Sequence, residues 1–192
     1  MLTDSAARWM LVLHAGLGVA AVGAATHLVI WLRRYLRGQS GKRRAVKRFA
    51  WYVLALHAAA FIAGNVLYPT YKVEVRTAYL ENASAIVAER TAHDREVAKI
   101  AARERSPGYE AEQLSTIVKQ AEKAARWFDV KEHWVALGLF AAIALVLVLG
   151  FWDPARDGPG LAPVVLGLAV LIAATDWFAA IVGVLTSAWR AV

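Results

Sequence analysis

Four stretches of the chain, 9–32, 49–68, 133–152 and 161–189, are nearly unbroken apolar runs. Each is long enough to cross about 30 Å of hydrocarbon at about 1.5 Å per residue. Lipid offers no hydrogen bonds, so a backbone that crosses it must satisfy its own polar groups, and runs of this length do so as helices. The expectation is an all-α integral membrane four-helix bundle. Composition agrees, since 59% of the 192 residues are hydrophobic and mean hydropathy is +0.43. That is too apolar for an ordinary soluble domain. Trp9, Trp31, Trp51, Tyr68, Trp134, Trp152 and Trp189 fall near the ends of the runs. Such rings anchor helices where hydrocarbon meets headgroups.

The net charge of +7 is local. Arg33, Arg34, Arg37, Lys42, Arg43, Arg44, Lys47 and Arg48 fill the first loop with no acid among them, which is a topology signal and not a nucleic-acid field. The positive-inside rule places the 33–48 loop in the cytoplasm and both termini outside an inner (cytoplasmic) membrane. The first run is too long for a cleavable leader and is expected to stay as a span. The absence of Cys excludes disulfides, thiolate zinc, iron–sulfur clusters and covalent haem.

Three parts follow: 1–68 with spans 1 and 2, a charged segment 69–132, and 133–192 with spans 3 and 4. The middle part is rich in Ala, Glu, Lys and Arg. Ser106-Pro107-Gly108 breaks it into two helices, 71–105 and 109–131. The first continues span 2 past Pro69 and the second runs into span 3, giving an extramembrane, extracytoplasmic helical hairpin. Its apolar positions are sparse. It is expected either to dock other membrane or periplasmic subunits through 71–131 or simply to stand solvated. The stretches Tyr68 to Arg76 and Phe128 to Trp134 look specific enough to be a signature, with no chemistry attached to them.

His14, His27, His57 and His133 lie in or at the edge of the spans, where ionisable groups mark sites. Counted from the flanking basic residues, His14 and His133 share an outer level, and His27 and His57 an inner one. Two levels, each with two His from different helices, suit bis-imidazole iron. His14 and His27, 13 residues apart on one helix, lie about 20 Å apart along its axis. Gly16, Gly18, Ala20, Gly23 and Ala24 between them would let a flat ring, or another helix, approach the backbone.

In this His spacing and four-helix layout the chain resembles the transmembrane b-type cytochromes, in which a helix with two such His gives one ligand to each of two haems. The resemblance implies one or two b haems as cofactor, with axial pairs His27/His57 and His14/His133, Gly16 and Gly23 beside the ring, and a quinone as a further candidate. His133, preceded by Lys131 and Glu132, equally reads as an interfacial residue. Asp176, near the middle of span 4, reads as a proton acceptor near a quinone, as the partner of a ligating His, or as an interhelical hydrogen bond to Asn65, Tyr68 or Thr26.

The leading expectation is an electron-transfer subunit of a respiratory or photosynthetic complex, rather than a self-contained enzyme. The alternatives are a cofactor-free scaffold and a proton or ion path built on Asp176 and the membrane His.

Overall fold

A computed structural model describes residues 3–38, 42–104 and 113–187. The expected break at Ser106-Pro107-Gly108 and the anchor Trp189 lie outside them. Among the described residues, helices α1 (Asp4–Leu36), α2 (Arg43–Thr70), α4 (Leu114–Phe151) and α6 (Ala162–Ser187) are the four that are long and apolar enough to cross a membrane. A π-helix (Tyr71–Leu80) and α3 (Ala83–Glu104) stand between α2 and α4, and α5 (Pro154–Asp157) is a single turn before α6. Among the described residues every regular element is helical.

Neighbouring helices run antiparallel in the ring order α1, α2, α4, α6, each packed chiefly on the two beside it. One end of the bundle carries the basic loop and α5, and the other carries the hairpin. The outer faces hold apolar side chains turned away from the protein, such as Trp9 (75% exposed), Phe140 (70%), Phe151 (81%) and Val184 (68%). A surface of this kind suits lipid tails and not water.

The inward faces build two separate apolar clusters. The larger fills the basic half of the bundle: Leu28 and Leu32 of α1, Val46 and Val53 of α2, Leu145 and Leu149 of α4, Val165 and Ile172 of α6. The smaller joins the π-helix to α3 and α4 through Tyr71, Val75, Tyr79, Leu80, Ile86, Ile117, Ala121 and Ala125. Polar residues occupy the gap between these clusters.

The basic end is latched by Asp153. Its carboxylate accepts from the Tyr35 hydroxyl at 3.2 Å, pairs with Arg43 Nε at 3.0 Å and caps α5 through the Ala155 N–H. Trp152, expected in the aromatic belt, is instead buried and donates from Nε1 to the Gly158 carbonyl. The turn after α4 folds back over the ring and supplies it an acceptor. Asp153→Ala is expected to lower stability by about 1–2 kcal/mol, because it removes a cap and a partly exposed ion pair together. Denaturation in detergent micelles would measure this, and an unchanged midpoint would dismiss the latch. Asp157, held down to about 2 by Arg156 and by the Asp153 N–H, keeps its charge in mild acid. What it contributes is present in full above the ordinary carboxylate range and is lost progressively as pH falls from there through about 2.

The hairpin departs from expectation in one place. Span 2 does run on past Pro69, but the chain turns at Glu81-Asn82, well before the end of the single helix expected over 71–105. Asn82 Oδ1 accepts from the Ala85 N–H at 3.1 Å and starts α3 as a helix cap. Pro69 lacks an N–H, which loosens the hydrogen-bond ladder, and the following turns are wide. In the π-helix, Tyr71, Val75 and Tyr79 recur every four residues toward α4. Between span 2 and α3 the two signature-like stretches meet. The Tyr71 and Phe128 rings stack at 3.9 Å, and Arg76 bridges Glu81 and Asp129.

Candidate functional site

The polar layer between the two clusters contains one fully internal ionisable pair. His57 lies about 21 Å along α2 from Arg43, and Asp176 lies about 21 Å along α6 from Ala162, so these two parallel helices, diagonal in the ring and starting at the same end, bring them to one depth. His57 is 1% exposed and Asp176 7%. Nδ1 of His57 stands 2.7 Å from Oδ1 of Asp176. The approach departs from the ring's N–H direction, so it is a close charge contact and not an aligned hydrogen bond. On the other side of the ring, Nε2 lies 2.9 Å from the Val135 carbonyl of α4. A carbonyl only accepts, so Nε2 carries a hydrogen. Two bare lone pairs at 2.7 Å would repel, so the pair holds one further proton, on Nδ1 or on the carboxyl group. Oδ2 of Asp176 is buried and has no hydrogen-bond partner among the described residues.

Gly138 makes this arrangement possible. A Cβ there would sit 2.4 Å from Thr175 Oγ1 and 2.8 Å from His57 Cε1. Thr175, itself fully buried, donates to the Ile172 carbonyl at 2.8 Å. Helices α2, α4 and α6 thus meet closely around the imidazole.

Toward the hairpin end, each helix carries a second layer about 10 Å away, or seven residues along. Gly64 of α2 faces the His14 ring, with Cε1 3.1 Å from where a Gly64 Cβ would begin. His14 donates from Nδ1 to the Ala60 carbonyl at 2.9 Å. Lys131 of α4 reaches Gly183 of α6, its Nζ 3.5 Å from the corresponding point. Toward the basic end the next turns are apolar and closed, with Val53, Leu145 and Ile172 all buried.

The remaining sequence candidates are placed differently. His27 and His133 are on exposed faces, and each ring bonds the carbonyl four residues earlier in its own helix, Gly23 at 2.9 Å and Asp129 at 2.8 Å. A Cβ added at Gly16, Gly18 or Gly23 would meet nothing within 4 Å, so these glycines face outward and line no interior cleft. Of the partners considered for Asp176, Asn65 bonds Phe61 of its own helix, and Thr26 accepts from Trp177 Nε1. Asp176 meets His57 instead. Gly138 and Thr175 carry no signal in the sequence that marks them out. Comparison of the chain with models of protein families, with curated proteins and with solved structures finds no match.

Proposed function

We propose that this is a proton-responsive membrane subunit in which the His57–Asp176 pair takes up and gives off protons inside the bundle. The observation that carries this reading is the pair itself: two buried ionisable groups 2.7 Å apart, with one carboxylate oxygen left without a partner among the described residues. With one proton between them the pair is neutral overall. Uptake of a second proton at Oδ2 turns imidazolium–carboxylate into imidazolium–carboxylic acid and adds one positive charge. Loss of the shared proton leaves imidazole and carboxylate with one net negative charge. Either change places an uncompensated charge in a low-dielectric site, so the helices around it must respond.

The apolar cluster closes the basic half, so in this reading protons reach the pair from the hairpin end, where His14 and Lys131 make up the next polar layer. A through-going proton channel is therefore not the form this reading takes. The positive-inside rule orients the hairpin outward, so the pair would answer to the outer aqueous phase. Helices α2 and α4, which carry His57 and Val135, are also the two that continue into the hairpin. A change in their packing is passed on there, to whatever subunit the hairpin docks.

Bis-imidazole haem binding asks more of the same residues. His57 would have to release Val135, and His27 and His133 would have to turn in from exposed faces, so the residues in this arrangement do not fit the two proposed axial pairs.

Infrared difference spectra of the purified protein between about pH 5 and 8 test the proposal. A carboxylic-acid carbonyl band should appear on acidification and be absent in Asp176→Asn. No such band in the wild type would overturn the reading. A low-spin haem spectrum that disappears in His57→Gln would overturn it as well.

A further inference from the structure

The end of the bundle away from the hairpin carries a charge that the chain does not balance. Nine basic side chains stand there, eight of them in 33–48 and the ninth Arg156, against two carboxylates, Asp153 and Asp157. Both carboxylates are taken, by Arg43 at 3.0 Å and by Arg156 at 2.7 Å, and Lys47 donates to the Gly150 carbonyl. Arg33, Arg34, Arg37, Lys42, Arg44 and Arg48 have no carboxylate within ion-pair distance among the described residues. Fold stability does not account for them. Arg44 stands in the first turn of α2, where the helix dipole disfavours a cation, and Arg33–Arg37 and Arg44–Arg48 are like-charge pairs four residues apart. Orientation across a membrane asks for positive charge in this loop but for no particular arrangement of it.

On one side the arrangement is specific. Trp31 of α1 and Phe49 of α2 stack across the seam between the two helices, centroids 5.7 Å apart, and Tyr52 meets Phe49 edge-on at 6.3 Å. Lys42 Nζ lies over the Trp31 ring, 5.6 Å from its centroid. The ring face positions the ammonium without neutralising it. Arg34 follows Trp31 by one turn on the same side of α1. Trp31 lies about 8 Å along α1 from its end at Leu36, and Phe49 about 9 Å along α2 from its start at Arg43, whereas Arg34 and Lys42 lie within about 3 Å of those ends. Two cations at headgroup depth thus stand above a row of rings at the acyl boundary, and Tyr52, 59% exposed, opens that row to lipid.

We infer that this seam holds an acidic phospholipid, its phosphate at Arg34 and Lys42 and an acyl chain along Trp31, Phe49 and Tyr52. Charge complementarity selects an anion. The rings directly beneath the cations select a lipid over a free ion or an acidic peptide, neither of which sends a chain into the hydrocarbon. The site shares no residue with the His57–Asp176 reading and stands or falls separately from it.

Native mass spectrometry of the full chain, released from an equimolar mixture of phosphatidylglycerol and phosphatidylcholine with matched acyl chains, provides the test. The wild type should retain phosphatidylglycerol in preference to phosphatidylcholine. Arg34→Gln and Lys42→Gln should each lower that preference about fivefold, and Lys42→Arg, which keeps both the charge and the ring contact, should retain most of it. Arg37→Gln with Arg44→Gln removes as much charge as Arg34→Gln with Lys42→Gln, but from positions about 120° and 140° round their helices from Trp31 and Phe49, and should lower the preference less than about twofold. Both double variants keep six of the eight loop charges, so the orientation signal persists. In phosphatidylcholine alone, both should melt close to the wild type, which separates loss of binding from loss of fold. Equal retention of phosphatidylglycerol by the wild type and by Arg34→Gln with Lys42→Gln would overturn the proposal. So would an equal loss in the two double variants, which would reduce the site to a diffuse surface charge. Displacement of the lipid by inorganic phosphate or by poly-glutamate would overturn the phospholipid as occupant.

Discussion

Asp176→Ala is expected to lower the unfolding free energy by about 3–5 kcal/mol, the largest single-residue effect in the chain. The substitution leaves the His57 ring buried beside a vacated space, with its Nδ1 side facing no acceptor. His57→Ala should be comparably damaging, because it strands a carboxylate that is 7% exposed in the middle of a helix bundle. The double variant His57→Phe with Asp176→Leu is the informative one. A buried ion pair exchanged for apolar side chains of similar size is often neutral or stabilising, so this protein should recover much of the lost stability while losing all proton-linked spectral change. A double-mutant cycle over Asp176→Ala and His57→Ala in mixed micelles should give a coupling energy of about 2–3 kcal/mol. Additive losses would show that the two side chains do not act on one another, and the proton-responsive reading would go with them.

The four spans are legible in the sequence because a bilayer imposes a length on any helix that crosses it, and no tertiary detail is needed to see it. The continuity of span 2 past Pro69 and of α4 into the hairpin is legible for a related reason: nothing in 114–151 breaks a helix. The turn at Asn82 is missed although its signal is present. Asn followed by Ala-Ser-Ala is a helix start, but in a run free of Gly and Pro a cap is easily passed over.

The site is harder, because depth can be counted along a helix whereas facing cannot. His27 and His57 both count to the basic half of the span, yet one points outward and the other inward, and only the packing of α1 on α2 and α6 decides which. Asp176 is recognisable as costly from its position alone. That it meets His57, and not Asn65 or Thr26, depends on which helix lies beside α6 at that depth. Belt residues fail similarly at Trp152, where the chain beyond α4 folds over the ring and supplies it an acceptor.

Gly138→Ala is the prediction that isolates the geometry from the charges. One added methyl group would begin 2.4 Å from Thr175 Oγ1 and 2.8 Å from His57 Cε1, distances at which something has to move. Neither neighbour is the loose end of a flexible chain. Thr175 is fully buried and bonded to the Ile172 carbonyl, and His57 is held on both sides by Val135 and Asp176. Helix α4 must therefore withdraw from α2 and α6, drawing the Val135 carbonyl off Nε2. Overpacking of this kind costs about 1–3 kcal/mol, against the slight gain that Ala ordinarily brings to a helix over Gly. Gly167→Ala provides the control, since nothing lies within 4 Å of its added carbon, and it should be neutral or slightly stabilising. Thr175→Ala removes the nearer obstacle and should restore part of the stability when combined with Gly138→Ala. The carboxylic-acid band assigned to Asp176 should shift or broaden in Gly138→Ala although no ionisable group has been changed. If Gly138→Ala melts with Gly167→Ala and keeps an unaltered band, the three helices do not close around His57 as tightly as described, and the buried pair loses the scaffold that holds it together.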